Sequence, residues 1–90
     1  MPRRTDANQS QIVSMLRSFG AAVWDAHSAG HGAPDIWVCY KRRIFPMEIK
    51  SEGGKLTPSE IAWRDSWGGP YYVIHSIEEA MQILVDETED

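Results

Sequence analysis

Three charged residues, Asp35, Glu48 and Lys50, fall where the sequence otherwise predicts apolar β-strands. The stretches DIWVCY and IFPMEIK contain these residues and are rich in β-branched and aromatic side chains, and KRR lies between them as a hairpin tip. If the hairpin turns through Lys41 and Arg42, Asp35 lies directly opposite Glu48 and both side chains point to one face of the sheet. Lys50, two residues after Glu48, shares that face.

Two carboxylates that face each other across a hairpin destabilise the sheet unless their charge is compensated. A divalent cation between them would remove the repulsion, and ligation by oxygen alone suits a hard ion such as Mg²⁺ or Mn²⁺. Lys50 would add a positive charge beside the metal ion, where it could orient or activate a water and stabilise a phosphorane-like charge. The pattern therefore favours metal-assisted chemistry on a phosphate.

The same residues also have ordinary explanations. An acidic residue two positions before a lysine often forms a solvated ion pair at a sheet edge, as in a small interaction or assembly protein, and an aspartate after proline is a common turn residue or helix cap. A three-residue turn would move Asp35 off the face of Glu48. Pro46 requires a bulge or an unpaired position, because proline cannot donate to a central ladder. The metal-site interpretation therefore depends on the two-residue turn.

The elements around these residues predict the order α-β-β-β-α-β-α. The second helix has the clearest start signal, with Thr57 as N-cap, Pro58 in the first turn and Glu60 completing a capping box. A strand–helix–strand crossover implies that the third and fourth strands are parallel, whereas the preceding hairpins imply antiparallel pairs. The predicted fold class is α/β, with a mixed four-stranded sheet and flanking helices.

Size and composition indicate one small globular domain. The chain has 90 residues, of which 42% are hydrophobic, and it contains four Trp and one Cys. We expect a single domain over residues 1–90, with its core at about 6–85 and an acidic C-terminal tail at 86–90. The chain has no apolar run of membrane-spanning length and no apolar signal core, and a single cysteine excludes an internal disulfide framework. A cytoplasmic protein without membrane contact is expected.

The charge distribution permits nucleic-acid binding even though the formal net charge is −4. Residues 1–77 carry nine basic and seven acidic side chains, a net charge of +2, and the remaining six acidic residues follow residue 77. The acidic C-terminal end therefore masks a mildly basic body, which is compatible with phosphate binding.

The order and spacing of several short motifs resemble a known nuclease family. GAPD followed by MEIK is similar to the signature of the PD-(D/E)XK nuclease superfamily. The wider pattern resembles the small stand-alone VRR-NUC nucleases of phages and bacteria, and it covers about residues 4–84. Its parts are DANQ-x-x-IV-x-x-LR-x-x-G, G-x-PD, EIK, LTP-x-E-x-x-W and W-x-GP. The resemblance implies a restriction-endonuclease-like fold with the order αβββαβα.

The resemblance also implies an activity, a Mg²⁺- or Mn²⁺-dependent, structure-selective DNA endonuclease that hydrolyses phosphodiester bonds in branched or Holliday-junction DNA. By this resemblance Asp35, Glu48 and the backbone carbonyl of Ile49 bind the metal ion, and Lys50 is the catalytic lysine. Gln11 stands where family members often carry glutamate, so it is a further candidate metal ligand without the charge. That difference favours an alternative, a catalytically weak or inactive nucleic-acid-binding module on the same fold.

Candidate DNA contacts follow from position. Gly32 precedes Asp35 in a glycine-rich loop and would let a DNA backbone approach the metal ion closely. Lys55 and Arg64 follow the catalytic strand and are candidates for phosphate contacts. Some relatives carry glutamine at the position of Glu60, so this residue is either a helix cap alone or also part of the site.

A homodimer is the expected assembly. A domain of this size with four Trp often gains stability by dimerising. Trp63 and Trp67 lie four residues apart and share one face of the second helix, where core packing or a subunit interface is favoured over base stacking. Two active sites related by a two-fold axis could cut both strands of a branched DNA.

Overall fold

The computed structural model describes residues 4–26 and 29–89, with side chains from residue 8 onward. Its elements follow the predicted order. They are α1 (Arg4–Ser18), β1 (Ala22–Asp25), β2 (Ile36–Tyr40), β3 (Arg43–Ile49), α2 (Pro58–Trp67), β4 (Tyr72–Ile74) and α3 (Ile77–Thr88).

The four strands form one mixed sheet in the order β1-β2-β3-β4. β1 pairs with β2 and β2 with β3 in antiparallel orientation, whereas β3 and β4 are parallel. The β2–β3 hairpin closes at the pair Tyr40–Arg43. Lys41 and Arg42 form its two-residue turn with φ angles of 51° and 66°, the positive values that a type I′ turn requires. The predicted turn, and the predicted mixed sheet, are confirmed.

Pro46 occupies a position in β3 where its missing N–H costs no ladder hydrogen bond. It lies opposite Trp37 in a register that is continuous from Ile36 to Tyr40. The ladder between β3 and β4 begins one residue later, at the pair Met47–Tyr72. Because Pro46 precedes that ladder, it needs no N–H to pair with β4, and β3 accommodates it opposite Trp37 without a bulge.

One face of the sheet forms the hydrophobic core with α1 and α3. The apolar residues of α1 recur with helical spacing, and α3 contributes a second apolar stripe. The largest fully buried side chains of this core are Ile12, Leu16, Ile36, Val38, Phe45, Met47, Ile74 and Leu84. Among the described residues, no helix has the length and apolar character that crossing a membrane requires.

The other face of the sheet is covered only in part, by α2. The capping box predicted for this helix is present, since the Thr57 side chain accepts from Glu60 N–H and the Glu60 side chain accepts from Thr57 N–H. Trp63 and Trp67 share a helix face as predicted, stack at 5.4 Å between ring centroids, and both contact Trp37 of β2. None of the residues from Pro58 to Trp67 is itself buried.

Candidate active site

The hairpin register brings Asp35 to the end of β3. Ile36 lies opposite Met47, so Asp35, one residue earlier, comes opposite Glu48. The Asp35 carboxylate accepts a hydrogen bond from Ile49 N–H at 2.9 Å through Oδ2, and its backbone carbonyl accepts from Ala26 N–H at 2.8 Å. In an extended strand, the N–H and C=O of one residue point to the same side. The Ile49 carbonyl is therefore directed toward the side on which Asp35 lies.

Glu48 is a buried carboxyl group near the C-terminal end of β3, an interior strand of the sheet. It lies opposite Val73 of β4, is 4% exposed, and its Oε1 atom is buried without a hydrogen-bond partner. Burial, the charge of Asp35 and the carboxylate of Glu60 raise the pKa of Glu48 to about 9. Burial also raises the pKa of Asp35. The two carboxyl groups therefore resist carrying two negative charges unless a cation compensates them.

Lys50 completes the charged group on this face, which consists of the side chains of Asp35, Glu48 and Lys50. Its Nζ atom lies 3.7 Å from Glu48 Oε2 and 2.8 Å from Glu60 Oε1, and its side chain is 17% exposed. Its backbone N–H donates to the Ile74 carbonyl at 2.9 Å, which fixes the residue to β4. Burial opposes the charge on Lys50, but the hydrogen bond that its ammonium group donates to Glu60, together with the nearby carboxylate charges, outweighs burial and raises the pKa of Lys50. Lys50 is accordingly protonated at neutral pH.

Glu60 serves as a helix cap and as a partner of Lys50 at the same time. Its Oε1 atom accepts from Thr57 N–H at 2.8 Å and from Lys50 Nζ at 2.8 Å. Burial would raise the pKa of Glu60, but the hydrogen bonds from Lys50 and Thr57 lower it. Glu60 is therefore a helix cap whose carboxylate also contacts Lys50, and a role of Glu60 in the activity of the site stays a prediction.

Gly32 allows the loop before Asp35 to pack against the same helical turn. Its φ angle is +84°, and a Cβ atom at this position would lie 2.3 Å from the Ser59 carbonyl oxygen. Only glycine fits such an approach between two backbones. The structure gives Gly32 a packing role that the sequence did not indicate, whereas its contact with DNA stays a prediction.

The remaining predicted residues have no described hydrogen bond or ion pair with Asp35, Glu48 or Lys50. Gln11 is exposed and lines a cavity whose other residues include His75 and Glu78 but none of those three. Lys55 is exposed in the loop before α2. Arg64 is exposed on α2, and its Nη2 atom lies 3.1 Å from Asp65 Oδ1. For these three residues, metal or DNA binding stays a prediction.

Sequence reasoning missed two polar residues. Gln9, not Gln11, is the buried amide of α1, and its Nε2 donates to Asp25 Oδ1 at 2.9 Å. A signal existed, because Gln9 precedes Ile12 and Leu16 by three and seven residues and therefore lies on the core-facing side of the helix. Tyr71 is the second, and its hydroxyl is buried without a hydrogen-bond partner.

The available oxygen ligands fit a hard divalent cation that takes only a few of its ligands from the protein. Among the described residues, no group of three or more His, Cys, Asp or Glu side chains is arranged to hold a metal ion. The candidate ligands are two carboxylates and one carbonyl, from Asp35, Glu48 and Ile49. Mg²⁺ commonly keeps several waters and binds through one or two carboxylates together with substrate phosphates. The unpartnered Glu48 Oε1 is the acceptor that such an ion would use.

The architecture defines the class to which this fold belongs. The fold is restriction-endonuclease-like α/β, with a mixed four-stranded sheet and flanking helices. Its β2–β3 hairpin carries Asp35, Glu48 and Lys50. Comparison with solved structures finds a VRR_NUC domain at a TM-score of 0.69 and 21% sequence identity, covering 94% of this chain and 96% of that chain. The fold that the sequence resemblance implied is thereby confirmed. No family model matches the chain, and no curated protein matches it.

Proposed function

We propose that the protein is a Mg²⁺- or Mn²⁺-dependent, structure-selective DNA endonuclease. The observation that carries this proposal is the unpartnered, buried Oε1 of Glu48, on a carboxyl group opposite Asp35 and beside Lys50. A buried oxygen without a partner costs roughly 1–3 kcal/mol, and a metal ion would remove that cost. The similarity to a solved VRR_NUC domain supports the nuclease class.

Each residue of the charged group has a distinct role in this proposal. Asp35, Glu48 and the Ile49 carbonyl would hold the ion, and the chemistry it would supply is to polarise the phosphate and to make a water more acidic. Asp35 is kept in place by the Ile49 N–H. Lys50 holds its proton because Glu60 is 2.8 Å away, so it acts as a fixed positive charge. That charge offsets the negative charge that develops on the phosphate oxygens.

DNA would approach the charged group from the side of the loop before Asp35 and the start of α2. Lys55 and Arg64 are exposed near this turn and would neutralise backbone phosphates. Backbone contacts of this kind carry no sequence information, which agrees with selection by DNA structure. Branched DNA, such as a four-way junction, is the proposed substrate, and the cytoplasm is the proposed site of action.

A second copy of this chain would cover the exposed part of the sheet. Beyond α2, the face that carries Glu48 continues into an apolar groove of about 380 Å³ lined by Ala22, Val23, Trp24, Trp37, Val38, Cys39 and Ile44. Trp24 is 67% exposed there. The groove contains no charged side chain that could hold a phosphate. An exposed apolar patch of this kind suits the two-fold interface of a homodimer.

A cleavage panel tests the activity. Single strands, flaps, forks and four-way junctions would be incubated with the protein in Mn²⁺, in Mg²⁺ and in EDTA. We expect cutting of at least one branched substrate in either metal ion and none in EDTA. Retained DNA binding without cutting of any substrate would favour the alternative, a nucleic-acid-binding module without catalysis.

Light scattering coupled to gel filtration tests the assembly. The wild-type chain should elute with the mass of a dimer, and Trp24→Glu should elute as a monomer because it places a charge in the apolar groove. An exposed substitution on α1, Ser14→Glu, is the matched control and should leave the dimer intact. A monomeric wild type at micromolar concentration would refute the homodimer.

A further inference from the structure

Only two buried side-chain polar atoms lack a hydrogen-bond partner among the residues that the structure describes. They are Oε1 of Glu48 and the hydroxyl of Tyr71. One is an acceptor when ionised, and the other is a donor. Unpaired groups of this kind are rare in folded proteins, and each asks for an explanation such as a missing ion or water. Two of them on one side of a small sheet suggest a common explanation.

The strand register places both atoms on the same face. Met47 pairs with Tyr72 and Glu48 with Val73 in the parallel ladder. Tyr71 comes directly before β4, and alternation continued by one residue places its side chain on the face of Val73 and Glu48, opposite to that of Tyr72. The Tyr71 ring packs against Trp63 of α2 at 5.9 Å between centroids, one helical turn after Glu60. The ring is therefore fixed beside the charged group by contacts that do not involve its hydroxyl.

The electrostatic environment agrees with this placement. Burial raises the pKa of Tyr71 to about 12, and the negative charge of Glu48 is the next largest cause, followed by that of Glu60. The hydroxyl therefore keeps its proton across the physiological range. It is a neutral donor within electrostatic reach of carboxylates, one of which offers an oxygen without a partner.

We propose that the Tyr71 hydroxyl is a positioning group that donates a hydrogen bond to the Glu48 carboxylate, directly or through one water, when that carboxylate is ionised and holds the metal ion. This inference rests on the proposed function. Carboxylates that ligate metal ions are generally oriented by further hydrogen bonds, and loss of such a partner typically lowers metal affinity about 10–100-fold. In the metal-free protein the bond is unmade, so the hydroxyl does not stabilise the fold and, as a buried donor without a partner, disfavours it.

Tyr71→Phe tests this directly, because it removes the oxygen and keeps the ring contact with Trp63. Calorimetric titration with Mn²⁺ should show a dissociation constant raised about 10–100-fold. The unfolding midpoint in EDTA should be unchanged or higher. In cleavage assays the half-saturating Mn²⁺ concentration should rise by a similar factor, while the rate at saturating Mn²⁺ stays close to that of the wild type.

Tyr72→Phe is the matched control. Tyr72 is adjacent in β4, its ring contacts Phe45 at 5.8 Å on the core face, and the charges that act on its hydroxyl are those of Glu87 and Arg43. We expect this variant to bind Mn²⁺ as the wild type does.

Two results would overturn the role of Tyr71. One is unchanged Mn²⁺ affinity in Tyr71→Phe, and the other is a large loss of stability in EDTA, including failure to fold, which would show a structural hydrogen bond. A wild type that binds Mn²⁺ but cuts no DNA would refute the nuclease and leave the Tyr71 inference standing. A wild type that cuts DNA, with a Tyr71→Phe variant of equal metal affinity, would refute the inference alone.

Discussion

The two faces of the sheet differ in how they satisfy their side chains. The face toward α1 and α3 is apolar and closed, and residues of this core such as Val38, Met47 and Leu84 of α3 have no exposed surface. The face toward α2 carries Glu48, Lys50 and a row of tryptophans, and part of it is open. On this face a buried oxygen has no partner. The comparison indicates that one face supplies stability, whereas on the other face burial and the charge conflict with Asp35 raise the pKa of Glu48.

Removing Lys50 should produce the largest loss of activity at the smallest cost to the core. Lys50→Ala eliminates the fixed positive charge beside Glu48, and cleavage should fall about 10²–10³-fold, as for other lost electrostatic stabilisers. Single-turnover cleavage of a branched DNA in Mn²⁺ measures this. Circular dichroism should show a folded protein, since the lysine lies outside the core.

Lys41→Ala is the matched control, because Lys41 is an exposed lysine at the hairpin tip, where its Nζ lies 5.5 Å from the Tyr40 ring centre. Its cleavage rate should equal that of the wild type. If Lys50→Ala cut DNA at a rate within threefold of the wild type, the proposal that the open face carries the activity would be refuted.

A cavity in the core beneath the closed face should have the opposite effect to Lys50→Ala, a large loss of stability. Leu84 of α3 is fully buried, and Leu84→Ala should lower the free energy of unfolding by about 2–5 kcal/mol. Val85, the next residue, is 43% exposed, so Val85→Ala should change it by less than about 1 kcal/mol. Urea denaturation in EDTA measures both. Equal effects of the two substitutions would show that α3 does not carry the core.

The residues that lie on each face of the sheet could largely be predicted from the sequence, because local turn and cap motifs determine their placement. The two-residue turn at Lys41 and Arg42 fixes the hairpin register, and the register alone brings Asp35 opposite Glu48. The capping box at Thr57 and Glu60 likewise depends on residues three positions apart. Alternation then decides which side chains share a face.

The contacts between α2 and the sheet could not be predicted, because they depend on how distant elements pack. The Lys50–Glu60 ion pair and the fit of Gly32 against Ser59 both require the first turn of α2 to lie over the end of β3. No local pattern specifies that approach. The burial of Gln9 follows from helical periodicity, but its hydrogen bond to Asp25, sixteen residues away in β1, depends on how α1 packs against the sheet.

The loop before Asp35 offers a finer way to test the open face. Gly32→Ala places a methyl group 2.3 Å from the Ser59 carbonyl oxygen, at a φ angle of +84°. Overpacking of this kind typically costs about 1–3 kcal/mol. The loop should shift, carry Asp35 with it and weaken Mn²⁺ binding, which calorimetry measures.

Gly30→Ala separates backbone strain from the close contact. Gly30 also has a positive φ angle, +72°, but a Cβ there would have no described atom within 4 Å. It should cost only the strain, about 1–2 kcal/mol, and leave Mn²⁺ affinity unchanged. Equal Mn²⁺ affinities in the two variants would show that the contact with α2 does not position Asp35.

The charge conflict should also appear as a pH dependence of stability in the absence of metal. In the unfolded chain Glu48 ionises near 4.5, whereas in the folded protein its pKa is raised to about 9. Between these values the folded state holds the extra proton, so the free energy of unfolding should fall as pH rises, by at most about 1.4 kcal/mol per pH unit. Glu48→Gln is neutral throughout and should remove this slope, which thermal unfolding in EDTA from pH 5 to 9 would reveal.

Added Mn²⁺ should invert the wild-type trend, because the ion replaces the proton on Glu48 and binds better as pH rises. Glu48→Gln should show little stabilisation by Mn²⁺ at any pH. Glu52→Gln removes an exposed carboxylate from the loop after β3 and should follow the wild type under both conditions. A wild type whose stability in EDTA varies with pH as that of Glu48→Gln does would mean that the Glu48 carboxyl group ionises freely in the folded protein. A metal ion would then not be needed to compensate the negative charge of Glu48 on the open face.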